Sequence, residues 1–287
     1  MADPKREVTI VIPTFNRANY LRQAIDSALA QTYLCEIVVC DHGSSDDTPE
    51  VARSYGNKIK YVRREQDCGV HFTWLDGIMN ASHDYIHLNF DDDWIAPTFI
   101  EETMNLFNDD VAFVFTAANI VFENNSESNF VQFKDFFKTG IHNKRILERY
   151  LTSYGSVVSP GCGIYRKSDL IDGLFIGNIP GTSHHYHGVG PDLLFSLLAL
   201  LKYANVGFVN EPLAYFRAHE KSITINSKDN DTSTVDFYEA YNEAKKFFLI
   251  IKFAQKVKLG NILFWIQSRF LNRFHRAVIK CVKYIGK

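Results

Sequence analysis

Short β-branched runs alternate with segments of helical spacing in the first third of this chain, and that alternation restricts the fold more than any other feature. Val8–Ile12 and Glu36–Cys40 are such runs, and between them Tyr20–Leu29 places Leu21, Ala24, Ile25, Ala28 and Leu29 on one side of a helix. Two strands joined by a helix form a parallel pair. A third strand over Ile59–Val62, a helix over Phe72–Ala81, a fourth strand over Tyr85–Phe90 and a helix after Pro97 repeat the unit. The expected class is α/β, with a doubly wound, mostly parallel sheet flanked by helices.

Such sheets bind ligands at the carboxyl ends of their strands. Those ends hold the unusual polar residues of this chain: Pro13-Thr14-Phe15-Asn16-Arg17, then Asp41-His42-Gly43-Ser44-Ser45-Asp46-Asp47, then Asp91-Asp92-Asp93. Three adjacent carboxylates after an apolar strand repel one another unless a cation compensates them. A hard divalent ion, Mn2+ or Mg2+, is the natural compensator, and magnesium typically takes one or two carboxylates together with substrate phosphates. The triplet taken alone fits equally well as an acidic turn capping the helix near Pro97. Asp41 can accept hydrogen bonds from a base or ribose, or can close an Asx turn. Asp46, Asp47 and Thr48 read as helix caps ahead of Pro49.

Taken together, Val8-Thr9-Ile10-Val11-Ile12-Pro13-Thr14-Phe15-Asn16-Arg17, Asp41 with Gly43-Ser44-Ser45-Asp46-Asp47-Thr48, and Asp91-Asp92-Asp93-Trp94 with Pro97 resemble the family 2 glycosyltransferases of GT-A fold. The three blocks match in order and spacing, and the resemblance runs to about Ser222. It implies an inverting enzyme that moves a sugar from a nucleotide-sugar, with a UDP-sugar favoured, to a hydroxyl of a glycan or lipid-linked glycan in bacterial surface polysaccharide synthesis. Pro13, Thr14, Asn16 and Arg17 would line the nucleotide pocket and Asp41 would hold the base. The triplet would be the family's DxD element, with Asp93 on the metal and Asp91 and Asp92 toward ribose or a metal-bound water. His42 stands where the family has Asp or Asn, and Asp76 where it has Asn.

The resemblance also places a general base at Asp192, at the start of an apolar helix, where a lone carboxylate could instead serve only the helix dipole. The family's acidic pair is broken here by Pro191. Gly161 and Gly163 resemble the small-residue strand beside the donor sugar, where glycines allow close approach. Arg217, His219 and Lys221 resemble the loop that closes over the diphosphate, with His219 completing the metal shell; Arg217 and Lys221 read equally as solvated loop charges. His184, His185 and His187 lie in a Gly-rich loop without a fourth ligand, so a loop over the acceptor fits them better than structural zinc.

Charge is divided unevenly along the chain. Residues 244–287 carry eleven of the 31 Lys and Arg and no Asp or Glu, leaving 20 basic against 33 acidic residues before them. At 100° per residue, Arg269, Arg273, Arg276, Lys280, Lys283 and Lys287 fall within an arc of about 80°, opposite Phe270, Leu271, Phe274, Val278, Cys281, Val282 and Ile285. The expected organisation is a catalytic domain over 1–240, divided near residue 120 into nucleotide and acceptor halves, and a basic amphipathic helical extension over 241–287. Such a helix fits an anionic membrane surface, or packing on protein with its basic face in water. Nucleic acid suits the acidic catalytic part poorly. Five cysteines without metal spacing and no signal-like N-terminus give an expected cytoplasmic location, peripheral on the inner face of the membrane. Two other classes share these features: a nucleotide-sugar-binding protein without transfer activity, and a metal-dependent nucleotidyltransferase. The intact triplet and Asp192 disfavour the first, and a first strand ending in Pro13-Thr14-Phe15-Asn16 rather than a Gly-rich basic loop disfavours the second.

Overall fold

Strand β1 (Val8–Thr14) is buried along its whole length and sits between two parallel neighbours, β2 (Cys35–His42) and β4 (Tyr85–Leu88). The structure is a computed structural model and describes residues 6–123, 129–153, 158–175, 179–180, 190–219 and 237–256. Strand β3 (Lys60–Arg64) adds in parallel outside β2. Helices α1 (Ala18–Leu29), α2 (Thr48–Arg53) and α3 (Val70–Asn80) make the crossovers. Leu21, Ala24, Ile25 and Ala28 form the buried face of α1, as their spacing requires, while Leu29 is 38% exposed.

After β4 the chain passes a two-residue strand β5 (Trp94–Ile95), helix α4 (Phe99–Met104), the long β6 (Val111–Phe122), and the short β7 (Phe130–Gln132) and β8 (Gly140–Asn143). Helix α5 (Lys144–Ser153), strand β9 (Gly163–Arg166), helices α6 (Lys167–Gly173) and α7 (Pro191–Lys202), strand β10 (Asn205–Ala218) and helix α8 (Phe237–Lys256) complete the order. The sheet runs β3-β2-β1-β4-β9-β6-β10-β5. Strands β1, β2, β3, β4, β6 and β10 share one direction, and β9 is inserted antiparallel between β4 and β6. That insertion splits the sheet into two parallel halves and carries the turn Pro160–Cys162 to the same edge as the acidic triplet.

Helix α7 is apolar on every side and buried from Pro191 to Leu200, which suits a helix enclosed by β6, α5, α6 and α8. Helix α8 covers it with Ala240, Ala244, Phe247, Phe248 and Ile251. Of these, Phe247, Phe248 and Ile251 each contribute roughly 1.5–3 kcal/mol by burial, and the alanines less. The helix continues without a break through residue 240, so the change of charge near residue 243 does not mark a change of fold. The amphipathic stretch 262–287 lies outside the described residues, as do His184, His185, His187 and Lys221. Among the described residues no helix is long and apolar enough to cross a membrane.

Candidate active site

The ends of β1 and β2 are tied to each other. Asn16 takes the left-handed conformation (φ 53°), its N–H donates to Ser44 Oγ at 2.9 Å, and its Oδ1 accepts from the Ser45 N–H at 2.8 Å. Arg17 N–H donates to Thr48 Oγ1, and Asp46 accepts from the backbone N–H groups of Ala18 and Thr48 at the starts of α1 and α2, whereas Asp47, the residue ahead of α2, makes no side-chain cap bond. Gly43, at φ 77°, brings its backbone so close to Gln66 and Asp67 that a Cβ would lie 2.9 Å from Asp67 N. Pro13 and Thr14 are buried at the start of this edge.

Asp41 is fully buried and already partnered. Its Oδ1 accepts from Ser44 N–H at 3.1 Å, and its Oδ2 accepts from the Tyr61 hydroxyl at 2.6 Å and from Arg63 Nη1 at 2.5 Å. Oδ1, with one donor, is the oxygen left with capacity for a further hydrogen bond, while Tyr61 and Arg63 occupy Oδ2. Asp41 is therefore less open than the sequence implies.

The triplet closes the other side. Asp91 Oδ2 accepts from Phe15 N–H at 3.3 Å, and Asp93 Oδ1 from Arg217 N–H at 2.9 Å. Asp92 Oδ2 lies 3.0 Å from His219 Nε2 and 3.3 Å from Arg17 Nη1, which in turn is 3.0 Å from His219 Nε2. Burial, then the charge of Asp92, pushes the Asp91 and Asp93 carboxyls above the usual range. The expectation pairs His219 with Asp93 around the metal, whereas the structure brings His219 to Asp92 and gives Asp93 to the Arg217 backbone. Two ligands at right angles about 2.1 Å from one ion stand about 3.0 Å apart, so Asp92 Oδ2 and His219 Nε2 fit adjacent positions of an octahedral shell. In this structure the Arg17 guanidinium supplies the positive charge between them.

Arg217 does not reach outward. Its Nε donates to the Asp92 carbonyl at 3.0 Å, Nη1 to Glu123 at 3.1 Å and Nη2 to Gln23, and its guanidinium lies 4.9 Å from both the Tyr20 and the Trp94 ring centroids. In this arrangement the residue braces the triplet. Gly161 and Gly163 are likewise filled from within the protein. A Cβ at Gly161 would meet Phe216 at 2.9 Å, and one at Gly163 would meet Tyr165 at 3.0 Å.

Asp192 is 8% exposed at the first turn of α7. Its Oδ1 accepts from the Leu193 N–H at 2.8 Å and its Oδ2 from the Tyr241 hydroxyl at 3.2 Å. Burial pushes its carboxyl up to about 6, against the lowering effect of those donors. Burial above all pushes the Cys162 thiol of the Pro160–Cys162 turn up to about 12, and the Asp93 charge acts in the same direction; burial likewise raises the Tyr165 hydroxyl, to which the Asp192 charge adds.

Residues 9–174, more than half of the chain, match the sequence model of Glycosyl transferase family 2. The chain belongs to that family. An uncharacterised glycosyltransferase of Rickettsia typhi is 46% identical over 103 residues, 35% of this chain and 32% of that protein, so the chain spans about a third of that relative's length. A putative glycosyltransferase of Bacillus subtilis, EpsH, is 25% identical over 223 residues, 75% of this chain and 62% of its own. Among solved structures, TarS of S. aureus in complex with UDP-GlcNAc superposes at a TM-score of 0.62 and 20% identity, over 82% of this chain and 64% of TarS. A mannosyltransferase of Pyrobaculum calidifontis in complex with GDP-Man and Mn2+ reaches 0.53 at 15% identity, over 96% and 86%. The fold is the GT-A-type α/β sheet of this family.

Both departures of this family 2 member from the pattern, His42 and Asp76, meet in one cluster. His42 Nε2 is 3.2 Å from Asp76 Oδ2, and Cys40 Sγ is 3.7 Å from both. Among the described residues this is the group whose three ligand atoms converge most like a metal site. Arg64 already binds the same carboxylate in a fork, Nε at 2.7 Å and Nη2 at 2.8 Å, and burial together with Asp76 pushes the Cys40 thiol up to about 12. The cluster is a hydrogen-bonded ion pair between α3 and the ends of β2 and β3. Tyr61, Arg63, Arg64 and Tyr241 were not read from the sequence as site residues. A usable signal exists for two of them: a buried carboxylate needs a partner, and Arg63-Arg64 end the strand next to Asp41 and His42.

Proposed function

We propose that this chain is an inverting glycosyltransferase that moves a sugar from a nucleotide-diphosphate sugar, a UDP-sugar first, to a hydroxyl of a glycan or lipid-linked glycan in bacterial surface polysaccharide assembly. The observation that carries this reading is the acidic triplet at the end of β4, with Asp93 buried and Asp91 and Asp92 half-buried, together with a second buried carboxylate, Asp192, at the start of α7. The TarS complex with UDP-GlcNAc and the archaeal mannosyltransferase complex with GDP-Man and Mn2+ support the donor class.

In this reading Pro13, Thr14, Asn16 and Arg17 border the nucleotide, with Asp41 and Asp91 toward base and ribose. Asp92 and His219 hold Mn2+ or Mg2+, assisted by Asp93. Such an ion supplies positive charge against the leaving diphosphate. Asp192 accepts the proton of the acceptor hydroxyl as that oxygen attacks the anomeric carbon, and the bond to the diphosphate breaks on the opposite face. One displacement inverts the anomeric centre. A carboxylate held near 6 is ionised at neutral pH yet more basic than a solvated one, as a general base requires. The basic stretch 262–287 would hold the enzyme at the inner face of the cell membrane, where a lipid-linked acceptor resides.

The test is thermal stabilisation by UDP-, GDP-, dTDP- and CMP-sugars, each with Mn2+, Mg2+ or chelator. A donor at 100 times its Kd stabilises by about 2.7 kcal/mol, so one nucleotide class should raise Tm, and only with metal. No stabilisation by any class would contradict the reading.

A further inference from the structure

Helix α8 follows residue 174, where the family match ends, and turns an apolar face of Ala240, Ala244, Phe247, Phe248 and Ile251 onto α7. Tyr241 interrupts that face with a hydroxyl. A phenylalanine would fill the same space, so the hydroxyl needs its own account: it donates to Asp192 Oδ2 at 3.2 Å. Leu193 N–H fixes the other carboxylate oxygen. With the Gly190 backbone, which also stabilises the ionised carboxylate, these donors orient it, and Tyr241 is the one side chain among them. Ala240 lies in contact range of Gly190, so this part of α8 also covers the start of α7 and keeps water from Asp192.

We propose that Tyr241 is a positioning residue for Asp192, holding the carboxylate in the orientation from which it takes the acceptor's proton and setting the pH range over which it can do so. The proposal rests on Asp192 as the general base. Covering by α8 disfavours the ionised carboxylate, and the Tyr241 hydroxyl favours it, so one helix applies both effects. Among the described residues the titratable groups facing Asp192 are Tyr241 from α8 and Tyr165 from β9, and Tyr165 directs its hydroxyl to Ser196 Oγ at 3.2 Å.

The experiment is the pH profile of donor turnover for wild type, Tyr241→Phe and Tyr241→Gln, with Asp192→Asn alongside. Losing one charge-assisted hydrogen bond should move the acid limb of Tyr241→Phe up by about one pH unit. Turnover then falls about fivefold near pH 6 and hardly changes near pH 8, with donor KM unaltered. Tyr241→Gln retains a donor and should return the limb part of the way. A limb that stays at its wild-type position in Tyr241→Phe overturns the proposal while leaving the base assignment intact. Full turnover in Asp192→Asn overturns the base assignment itself, and the positioning role with it.

Discussion

Replacing Asp192 by Asn should stabilise the protein at neutral pH while removing transfer. The carboxyl is raised from an ordinary 3.8 to about 6 by burial, so folding favours its protonated form. Below pH 3.8 both folded and unfolded chains carry the proton and nothing is lost. As pH rises through the folded value, the folded state must ionise a buried group that the unfolded state ionises in water. Raising the carboxyl from 3.8 to about 6 corresponds to about 3 kcal/mol lost above pH 6. Asn is neutral at every pH and avoids this loss. Its Oδ1 can still accept from Leu193 N–H, and its amide can donate to the Tyr241 oxygen, so about 2 kcal/mol of gain should survive imperfect geometry. In a chain of this size that is a Tm rise of about 4–6 °C near pH 8, shrinking to about 1 °C near pH 4. Differential scanning fluorimetry of both proteins across pH 4–8 measures it. A destabilised variant, or a gain that does not grow with pH, would refute the reasoning.

Gly77→Ala should cost about 1–3 kcal/mol, because its Cβ would stand 2.4 Å from Val11 Cγ1 and force α3 off β1; chemical denaturation reads this directly. Asp92→Asn should abolish the Mn2+ dependence of donor binding, measured by calorimetry, and the assignment fails if Asp93→Asn abolishes it while Asp92→Asn does not. Deleting residues 262–287 should release the protein from anionic vesicles in flotation assays and spare donor turnover, and undiminished vesicle binding would count against the membrane role.

The parallel half of the fold is legible because each strand and each crossover helix declares itself by local periodicity. Strand β9 is legible as a strand only through the resemblance around Gly161 and Gly163, and its antiparallel pairing of Tyr85 with Arg166 is not, because it depends on a reversal fixed by contacts distant in sequence. The same distinction separates the site residues. Asp46 reads as a cap because one partner, Thr48, is local, whereas its second partner, Ala18 at the start of α1, is 28 residues away and is not legible. Arg217 reads as a solvated or diphosphate-facing cation because nothing near it in sequence reveals Tyr20, Gln23, Trp94 and Glu123. Tyr241 falls beyond the matched motifs, in a stretch whose basic composition suggests a separate tail. Charge reports on the outer face of α8, whereas the inner face decides where the core ends.

The most direct test of the account is nucleotide-diphosphate release from the stabilising donor by wild type and Asp192→Asn, with donor affinity measured on the same samples. The account predicts unchanged affinity and a turnover lower by about 10²-fold or more. Equal turnover in the two proteins would contradict the assignment of the base, and with it the proposed mechanism of transfer.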